Sequence, residues 1–235
     1  KYALLAHEFF HVFQISKSQG FDQSVFWMIE GQAATIESLY MKEYIKDSNY
    51  LLNFLNQDSL EDGIKNVEEY ESYEGFFKSL PQYGDISVFM NLALAKVLQE
   101  QGNTEKESFL MIFENYWESD PNQANWKTKF EQVFGITISD FYQRLNDFKT
   151  NPETLIPEIS LSEIFSFFKS GRLEKMNKKP KVFALGGIRR KKMKRLSEVG
   201  FDGVALLGSI WGSRDPLRAL NEFMKMDIEF MLNGR

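Results

Sequence analysis

The chain of 235 residues contains no cysteine and only two histidines. The absence of cysteine excludes disulfide bonds and thiolate metal ligands, but it fits an oxidising and a reducing compartment equally well. No stretch approaches the roughly 18 consecutive apolar residues of a membrane-spanning helix, and no basic, apolar and small-residue series marks a signal peptide. With 43% hydrophobic and 15% aromatic residues, the chain can nevertheless bury a sizeable core.

Both histidines stand in one short motif, His7-Glu8-Phe9-Phe10-His11. Residues four apart lie one turn above each other on the same face of an α-helix, so the two imidazoles can converge on one ion. Zinc binds imidazole nitrogen, and in catalytic sites it keeps a position for water. The motif therefore predicts a zinc (Zn2+) site with His7 and His11 as ligands. Glu8 is predicted to act as the general base that takes a proton from the water.

A third ligand has to come from another segment, and Glu30 is the candidate. Eighteen residues separate it from His11, enough for a chain reversal and the start of a second helix. The two blocks resemble the gluzincin (peptidase MA-like) zinc metallopeptidases, in which HExxH is followed by a glutamate on the next helix, often as WxxEG. Trp27, Glu30 and Gly31 match the second block. The resemblance covers about residues 2–150 and implies a zincin-like, mainly helical domain that hydrolyses peptide or protein substrates.

Two further roles are expected of side chains near the metal. Peptide hydrolysis benefits from a donor aimed at the developing oxyanion, and with no third histidine the donor should be a tyrosine: Tyr83, then Tyr73, then Tyr70. Each of these has a purely structural role as its alternative. Glu37, two turns beyond Glu30, is a candidate partner for a ligand histidine, although a solvent-facing glutamate is the interpretation that we favour. The alternative to the whole site is an accidental histidine pair on an apolar helix.

Hydrophobic periodicity and capping residues predict a series of helices. The predicted helices cover residues 2–17, 87–101, 104–118, 122–134, 141–148 and about 161–169, with a weaker one starting near 58. A further helix is predicted to run to about residue 46, capped by Asp22 or Ser24. Pro81 is expected to stop the helix before it, and Gly135 to cap residues 122–134. Ser139 or Asp140 is expected to cap the next helix, and residues 87–101 are predicted to be amphipathic.

Charge divides the chain into two segments. Residues 1–150 contain 12 Lys and Arg against 23 Asp and Glu, a net charge of −11, whereas residues 151–235 contain 16 against 10, a net charge of +6. This asymmetry predicts segments of different origin. We expect a metallopeptidase domain at 1–150 that lacks the N-terminal sheet of gluzincins, a linker with a short helix at 151–180, and a separate segment at 181–235.

The last segment has the pattern of a small α/β unit. Apolar runs around residues 182–185 and 204–207 alternate with helical stretches, which predicts a βαβα unit with parallel strands. The blocks KVFALGGI (181–188) and GFDGVALLGSIW (200–211) resemble the last two βα units of thiamine phosphate synthase, a TIM barrel. The resemblance implies a phosphate-bearing ligand held at Gly186, Gly187, Gly208 and Ser209. Two strands cannot close a barrel, so we expect no synthase activity from this partial TIM barrel alone.

Three functions stay open at this point. The first is a zinc-dependent metallopeptidase-like hydrolase, the second a phosphate-binding transferase remnant or fusion, and the third an inactive truncated or joined reading frame. The basic residues between 189 and 195 face either solvent or a bound anion. No nucleic-acid-binding module is recognised, and the larger segment is acidic, so no nucleic acid partner is expected. The sequence predicts neither the side-chain preference for a substrate nor the cellular compartment of the protein.

Overall fold

The computed structural model divides the chain into two compact units, Lys1–Ser170 and Gly171–Arg235. The residues that it describes are 2–18, 25–168, 183–185, 203–205, 218 and 222. Helices and short connecting turns account for the described part of the first unit, which confirms the predicted mainly-α class. Within these ranges no helix is both long and apolar enough to cross a membrane.

The helices of the first unit follow one another with short connections. They are α1 (Tyr2–Lys17), α2 (Phe26–Tyr40), α3 (Gln57–Lys65), α4 (Tyr73–Tyr83), α5 (Ser87–Glu100), α6 (Glu105–Leu110), α7 (Tyr116–Glu118), α8 (Trp126–Phe134), α9 (Ile138–Phe148) and α10 (Leu161–Phe168). Turns of 3₁₀ type lie at Leu51–Leu55, Val67–Glu71 and Pro152–Leu155, and π-helical turns at Met41–Ile45 and Met111–Asn115 continue α2 and α6. Gly135, with a φ of +67°, caps α8 as predicted.

The first unit is built around α2 and α5, which pack against each other. Every residue of α5 from Ser87 to Ala95 is buried. A helix that is enclosed around its whole circumference lies in the centre of a core and not at the surface. The prediction of an amphipathic helix at residues 87–101 was therefore wrong, because the neighbouring helices surround this one over most of its length.

Gly31 permits the close contact between α2 and α5. A side chain at this position would clash with the backbone oxygen of Ser87 and with the side-chain amide of Asn91. The Asn91 amide donates to the Ser87 carbonyl at 2.9 Å and to the Trp27 carbonyl at 3.4 Å. Because Gly31 directly follows Glu30, this crossing positions the predicted third ligand relative to the core.

Two predicted helix ends differ from the observed ones. Pro81 does not stop a helix but lies within the last turn of α4, which ends before Gly84. Gly84 has a φ of +71°, a backbone conformation that glycine adopts without steric cost. The cap of α9 is Thr137, whose hydroxyl accepts a hydrogen bond from the backbone N–H of Asp140 at 3.1 Å. The predicted cap, Ser139 or Asp140, was wrong because the helix begins one turn earlier.

The first part of the predicted linker packs onto the first unit. Leu155, Ile159, Leu161 and Ile164 are buried, and α10 packs against α2 and α6. The Glu43 carboxylate accepts a hydrogen bond from the backbone N–H of Leu161 at 2.7 Å. These apolar residues keep the chain on the surface of the core, and the first compact unit extends to Ser170.

The second unit contains two short strands, β1 (Phe183–Leu185) and β2 (Gly203–Ala205). They pair in parallel, with Ala184 opposite Val204. Parallel neighbours need a crossover connection. The helix predicted between the strands lies outside the described residues, as does the basic cluster at 189–195. Of the helix predicted after β2, the described residues are Arg218 and Glu222, and both are helical.

Candidate metal centre

The packing of α1 against α2 brings the three predicted ligands together. One ligand atom from each of His7, His11 and Glu30 lies within 4.8 Å of the others. Nε2 of His7 is 3.2 Å from Oε2 of Glu30, and Nε2 of His11 is 3.7 Å from Oε1 of the same carboxylate. The imidazole rings meet edge to face with their centres 4.8 Å apart. The Glu30 carboxylate therefore faces both rings from the second helix.

His7 has a carboxylate on each side of its ring. Nδ1 is 3.0 Å from Oε2 of Glu37, and Nε2 faces Glu30. Burial by itself lowers the pKa of His7, but the hydrogen bonds and charges of the two glutamates outweigh it and raise the pKa from 6.5 to about 9. Without a metal, His7 is therefore cationic at neutral pH.

Glu37 is the partner of His7 and does not face solvent, so the interpretation favoured from the sequence was wrong. Its side chain is 12% exposed, and its other oxygen accepts a hydrogen bond from the Tyr50 hydroxyl. Burial raises the pKa of Glu37, but the hydrogen bonds from His7 and Tyr50 bring it below its usual range. Burial together with the contact to Glu37 raises the pKa of Tyr50 to about 12. At neutral pH the carboxylate is thus ionised and the phenol protonated.

His11 has a neutral partner instead of a carboxylate on its Nδ1 side. This atom is 2.8 Å from Oε1 of Gln14, one turn further along α1. The amide nitrogen of Gln14 donates to the Ile29 carbonyl at 3.1 Å and to Oε1 of Gln32 at 3.0 Å. Gln14 and Gln32 are both 0% exposed. A chain of buried amides therefore connects His11 with the interior of the unit.

A buried ion pair holds the last turn of α1. Nζ of Lys17 pairs closely with the Glu114 carboxylate and lies 3.3 Å from Glu118. The side chains of Lys17 and Glu114 are 4% and 10% exposed. The ammonium group also lies 5.5 Å from the centre of the Phe13 ring, within the range of a cation–π contact. The end of the helix that carries both histidines is thus tied to the π-helical turn after α6.

Glu8 directly follows His7 on α1 and is exposed. Five apolar residues of the same helix are 44–60% exposed: Leu4, Leu5, Phe9, Val12 and Ile15. We call these five residues the apolar face of α1. Helical spacing places Glu8 one turn from both Leu4 and Val12. The predicted general base is therefore accessible to water and lies beside exposed apolar side chains of α1.

The tyrosines predicted as oxyanion donors lie in or next to α4. Tyr83 is half-buried and packs against the core, and Tyr73 is 54% exposed with its ring against Phe26. Tyr70 is buried and donates to the Gly84 carbonyl at 2.6 Å. Within the described part of the chain, no hydrogen bond joins these hydroxyls to the three predicted ligands. The role of Tyr83 as an oxyanion donor stays a prediction.

Asp85 is a further carboxyl whose charge interacts with the centre. It precedes α5, and its Oδ1 accepts a hydrogen bond from the backbone N–H of Ser87 at 2.9 Å. Removal from solvent raises the pKa of Asp85, and the negative charge of Glu30 adds to the rise. The hydrogen bonds from Ser87 and the charge of His7 oppose it. The start of α5 therefore belongs to the electrostatic surroundings of the site.

No protein-family model, curated protein or solved structure matches the chain. The resemblances to gluzincins and to thiamine phosphate synthase therefore rest on the residues alone.

Sequence reasoning missed Gln14, Tyr50 and Asp85. Gln14 has a sequence signal, because it lies three residues after His11 on the same helix face, whereas the positions of the other two depend on tertiary folding. The predicted phosphate-binding residues lie outside the described part of the chain: Gly186, Gly187, Gly208 and Ser209.

Proposed function

We propose that the first unit contains the zinc centre of a metallopeptidase-like hydrolase that cleaves peptide or protein substrates. The observation that carries this proposal is the convergence of His7, His11 and Glu30 from two helices. Zinc ligands at about 2.0–2.1 Å in tetrahedral geometry lie about 3.3 Å from one another. The contacts of Glu30 with the two imidazoles, at 3.2 and 3.7 Å, are close to that separation.

The chemical nature of the donors also fits zinc. Two imidazole nitrogens and one carboxylate oxygen form a donor set of catalytic zinc sites, in which a fourth position is kept for water. A zinc ion bound there would lower the pKa of a water ligand to about 7 and polarise a substrate carbonyl. Glu37 supports this use of His7, because its carboxylate, held by the Tyr50 hydroxyl, contacts Nδ1 and leaves Nε2 directed at Glu30.

Glu8 has the exposure and the sequence position of a general base. It is accessible to water and directly follows His7. In the proposed mechanism its carboxylate takes a proton from the water as the oxygen attacks the peptide carbonyl, and then gives that proton to the leaving amine. Tyr83 is the proposed donor to the developing oxyanion.

Metal content tests the proposal. Protein purified with zinc supplementation and analysed by inductively coupled plasma mass spectrometry is expected to hold one zinc ion per chain. His7→Ala and Glu30→Gln are each expected to lose the metal, because two remaining ligands bind it too weakly to survive purification. Glu8→Gln is the matched control, since it also neutralises a carboxylate near the site but removes no ligand.

Two outcomes would contradict the zinc centre. The first is a wild-type protein that stays metal-free after supplementation. The second is retention of stoichiometric zinc by both folded ligand variants, with folding checked by circular dichroism.

We also propose that the second unit is a small α/β (βαβα) segment that binds a phosphate-bearing ligand. The parallel pairing of β1 with β2 supports this proposal, because the carboxyl ends of parallel strands share one edge, where phosphate sites of such folds lie. Gly186 and Gly187 directly follow β1, and Gly208 and Ser209 come shortly after β2.

Titration with inorganic phosphate and with thiamine monophosphate, followed by NMR of the full chain, tests this second proposal. The amide signals of Gly186 and Gly208 are expected to shift, whereas those of Gly31 and Gly135 in the first unit are expected to stay unchanged. Unchanged signals at Gly186 and Gly208 would remove the proposal.

A further inference from the structure

We infer that Gln14, Gln32 and Trp117 form a hydrogen-bond relay that keeps a hydrogen on Nδ1 of His11, so that neutral His11 presents its Nε2 lone pair to a metal ion. The functional meaning of the relay rests on the proposed zinc centre. Its structural content, the tautomer of His11, can be tested without any metal.

The relay begins at Trp117, whose indole nitrogen can only donate a hydrogen bond. Nε1 of Trp117 donates to Oε1 of Gln32 at 2.7 Å. The amide nitrogen of Gln32 donates to the backbone carbonyl of Ile112 at 2.9 Å, and a carbonyl can only accept. These two contacts together determine which end of the Gln32 amide is the oxygen.

Gln32 in turn orients Gln14. Nε2 of Gln14 faces two oxygens, Oε1 of Gln32 at 3.0 Å and the carbonyl of Ile29 at 3.1 Å. In the flipped orientation the Gln14 oxygen would face both of these acceptors, and two hydrogen bonds would be lost. Gln14 and Gln32 are 0% exposed and Trp117 is 1% exposed, so bulk water does not compensate for such a loss. The relay therefore directs Oε1 of Gln14 toward His11.

This orientation decides where the hydrogen on His11 lies. Oε1 of Gln14 is 2.8 Å from Nδ1 of His11, and because an amide oxygen only accepts, Nδ1 must carry the hydrogen. In the neutral ring the lone pair then lies on Nε2, which is 3.7 Å from Oε1 of Glu30. A lone pair and a carboxylate oxygen repel each other, and a cation shared between them relieves the repulsion. The relay thus prepares His11 as a ligand through a neutral amide.

Nitrogen NMR of the metal-free wild-type protein, at a pH where His11 is neutral, reads the tautomer directly. The chain has two histidines, so a His7→Asn variant assigns the two rings. Nδ1 of His11 is expected in the protonated range and Nε2 in the unprotonated range. A neutral His11 with its hydrogen on Nε2 would overturn the inference, whether or not the protein binds zinc.

Variants of the relay test its effect on the metal. Gln14→Met removes the acceptor at similar side-chain length and is expected to lower zinc affinity by about 10–100-fold and to give a mixture of His11 tautomers. Trp117→Phe removes only the first donor and is expected to have a smaller effect in the same direction. The matched control is Thr35→Val, which removes a buried hydroxyl whose hydrogen bond goes to the Gly31 carbonyl and not to a member of the relay.

Wild-type tautomer and wild-type zinc affinity in both relay variants would contradict the relay. If Gln14→Met does not fold, the Trp117→Phe variant and the wild-type NMR spectrum still show whether the relay sets the His11 tautomer. A wild-type protein that binds no zinc but shows the expected tautomer would reject the proposed function and leave the relay in place.

Discussion

The two faces of α1 differ in their contacts with the rest of the first unit. On the face toward α2, His7, His11 and Gln14 each have hydrogen-bond partners within the unit. At the edge of this face, Glu8 stands among apolar side chains that are 44–60% exposed. The difference separates two proposed properties: metal binding would depend on the first face alone, and turnover on Glu8 as well. Variants that change one property without the other therefore test the proposed function most directly.

Glu8→Gln is expected to have the largest effect on turnover. Loss of the general base should lower peptide hydrolysis by about 10²–10⁴-fold while zinc content stays at the wild-type value. Hydrolysis of a fluorogenic peptide library and metal analysis of the same sample give both numbers. A parallel loss of zinc in this variant would assign Glu8 to the metal-binding face. A zinc-loaded wild type without hydrolysis of any peptide would favour the non-enzymatic interpretation.

Lys17→Met tests how the face of α1 that carries His7 and His11 is anchored. The substitution leaves the Glu114 carboxylate, which is 10% exposed, without its closest cation. Removal of one partner of a buried ion pair is expected to lower the free energy of unfolding by about 3–5 kcal/mol. Urea denaturation followed by circular dichroism measures the change.

The control for Lys17 is a lysine in an exposed ion pair. Lys65 is 61% exposed and lies 3.6 Å from Glu61 and 3.4 Å from Asp62. Lys65→Met should change the free energy of unfolding by no more than about 1 kcal/mol. In the double variant Lys17→Met, Glu114→Gln most of the lost stability should return, because no buried charge is left unpaired. Equal effects of the two single variants would show that Lys17 does not anchor α1.

Gly31→Ala tests the crossing behind Glu30. The added methyl group would meet the backbone oxygen of Ser87, which cannot move without displacing α5. We expect the clash to lower the free energy of unfolding by about 1–3 kcal/mol, although alanine favours a helix over glycine by about 0.5–1 kcal/mol. Thermal and urea unfolding measure the net change. In the control, Gly63→Ala, the three atoms nearest to the methyl group belong to the side chain of Ile86 and not to backbone, so a loss as large as that of Gly31→Ala would argue against the crossing.

Much of the helical framework could be predicted from the sequence, because periodicity and capping are local. The bounds of α1 and the cap at Gly135 agree with prediction for that reason. The enclosure of α5 was missed because the number of helices around a segment is a tertiary property. The cap at Thr137 was missed because Ser139 and Asp140 have the same capping chemistry two and three residues later.

The candidate site divides in the same way. The helical period explains why His7 and His11 share a face, and the resemblance to gluzincins identified Glu30. The three predicted ligands could therefore be named from the sequence. The sequence offered Glu37 as a candidate partner of a ligand histidine, but it could not predict the contact with His7, because that contact depends on how α1 and α2 pack. Tyr50 reaches Glu37 from the turn after α2. No local pattern predicts that approach.

Phe9→Ala has the smallest expected effect and compares the two faces at adjacent residues. Phe9 is 56% exposed, whereas Phe10 is 1% exposed and packs against the rings of Phe13 and Phe113. Phe10→Ala is expected to lower the free energy of unfolding by about 3–5 kcal/mol, and Phe9→Ala to change it by no more than about 0.5 kcal/mol. Urea midpoints at an unchanged m-value measure both. If Phe9→Ala costs more than about 1 kcal/mol, the apolar face is covered in solution, and the water that Glu8 needs must reach it by another route.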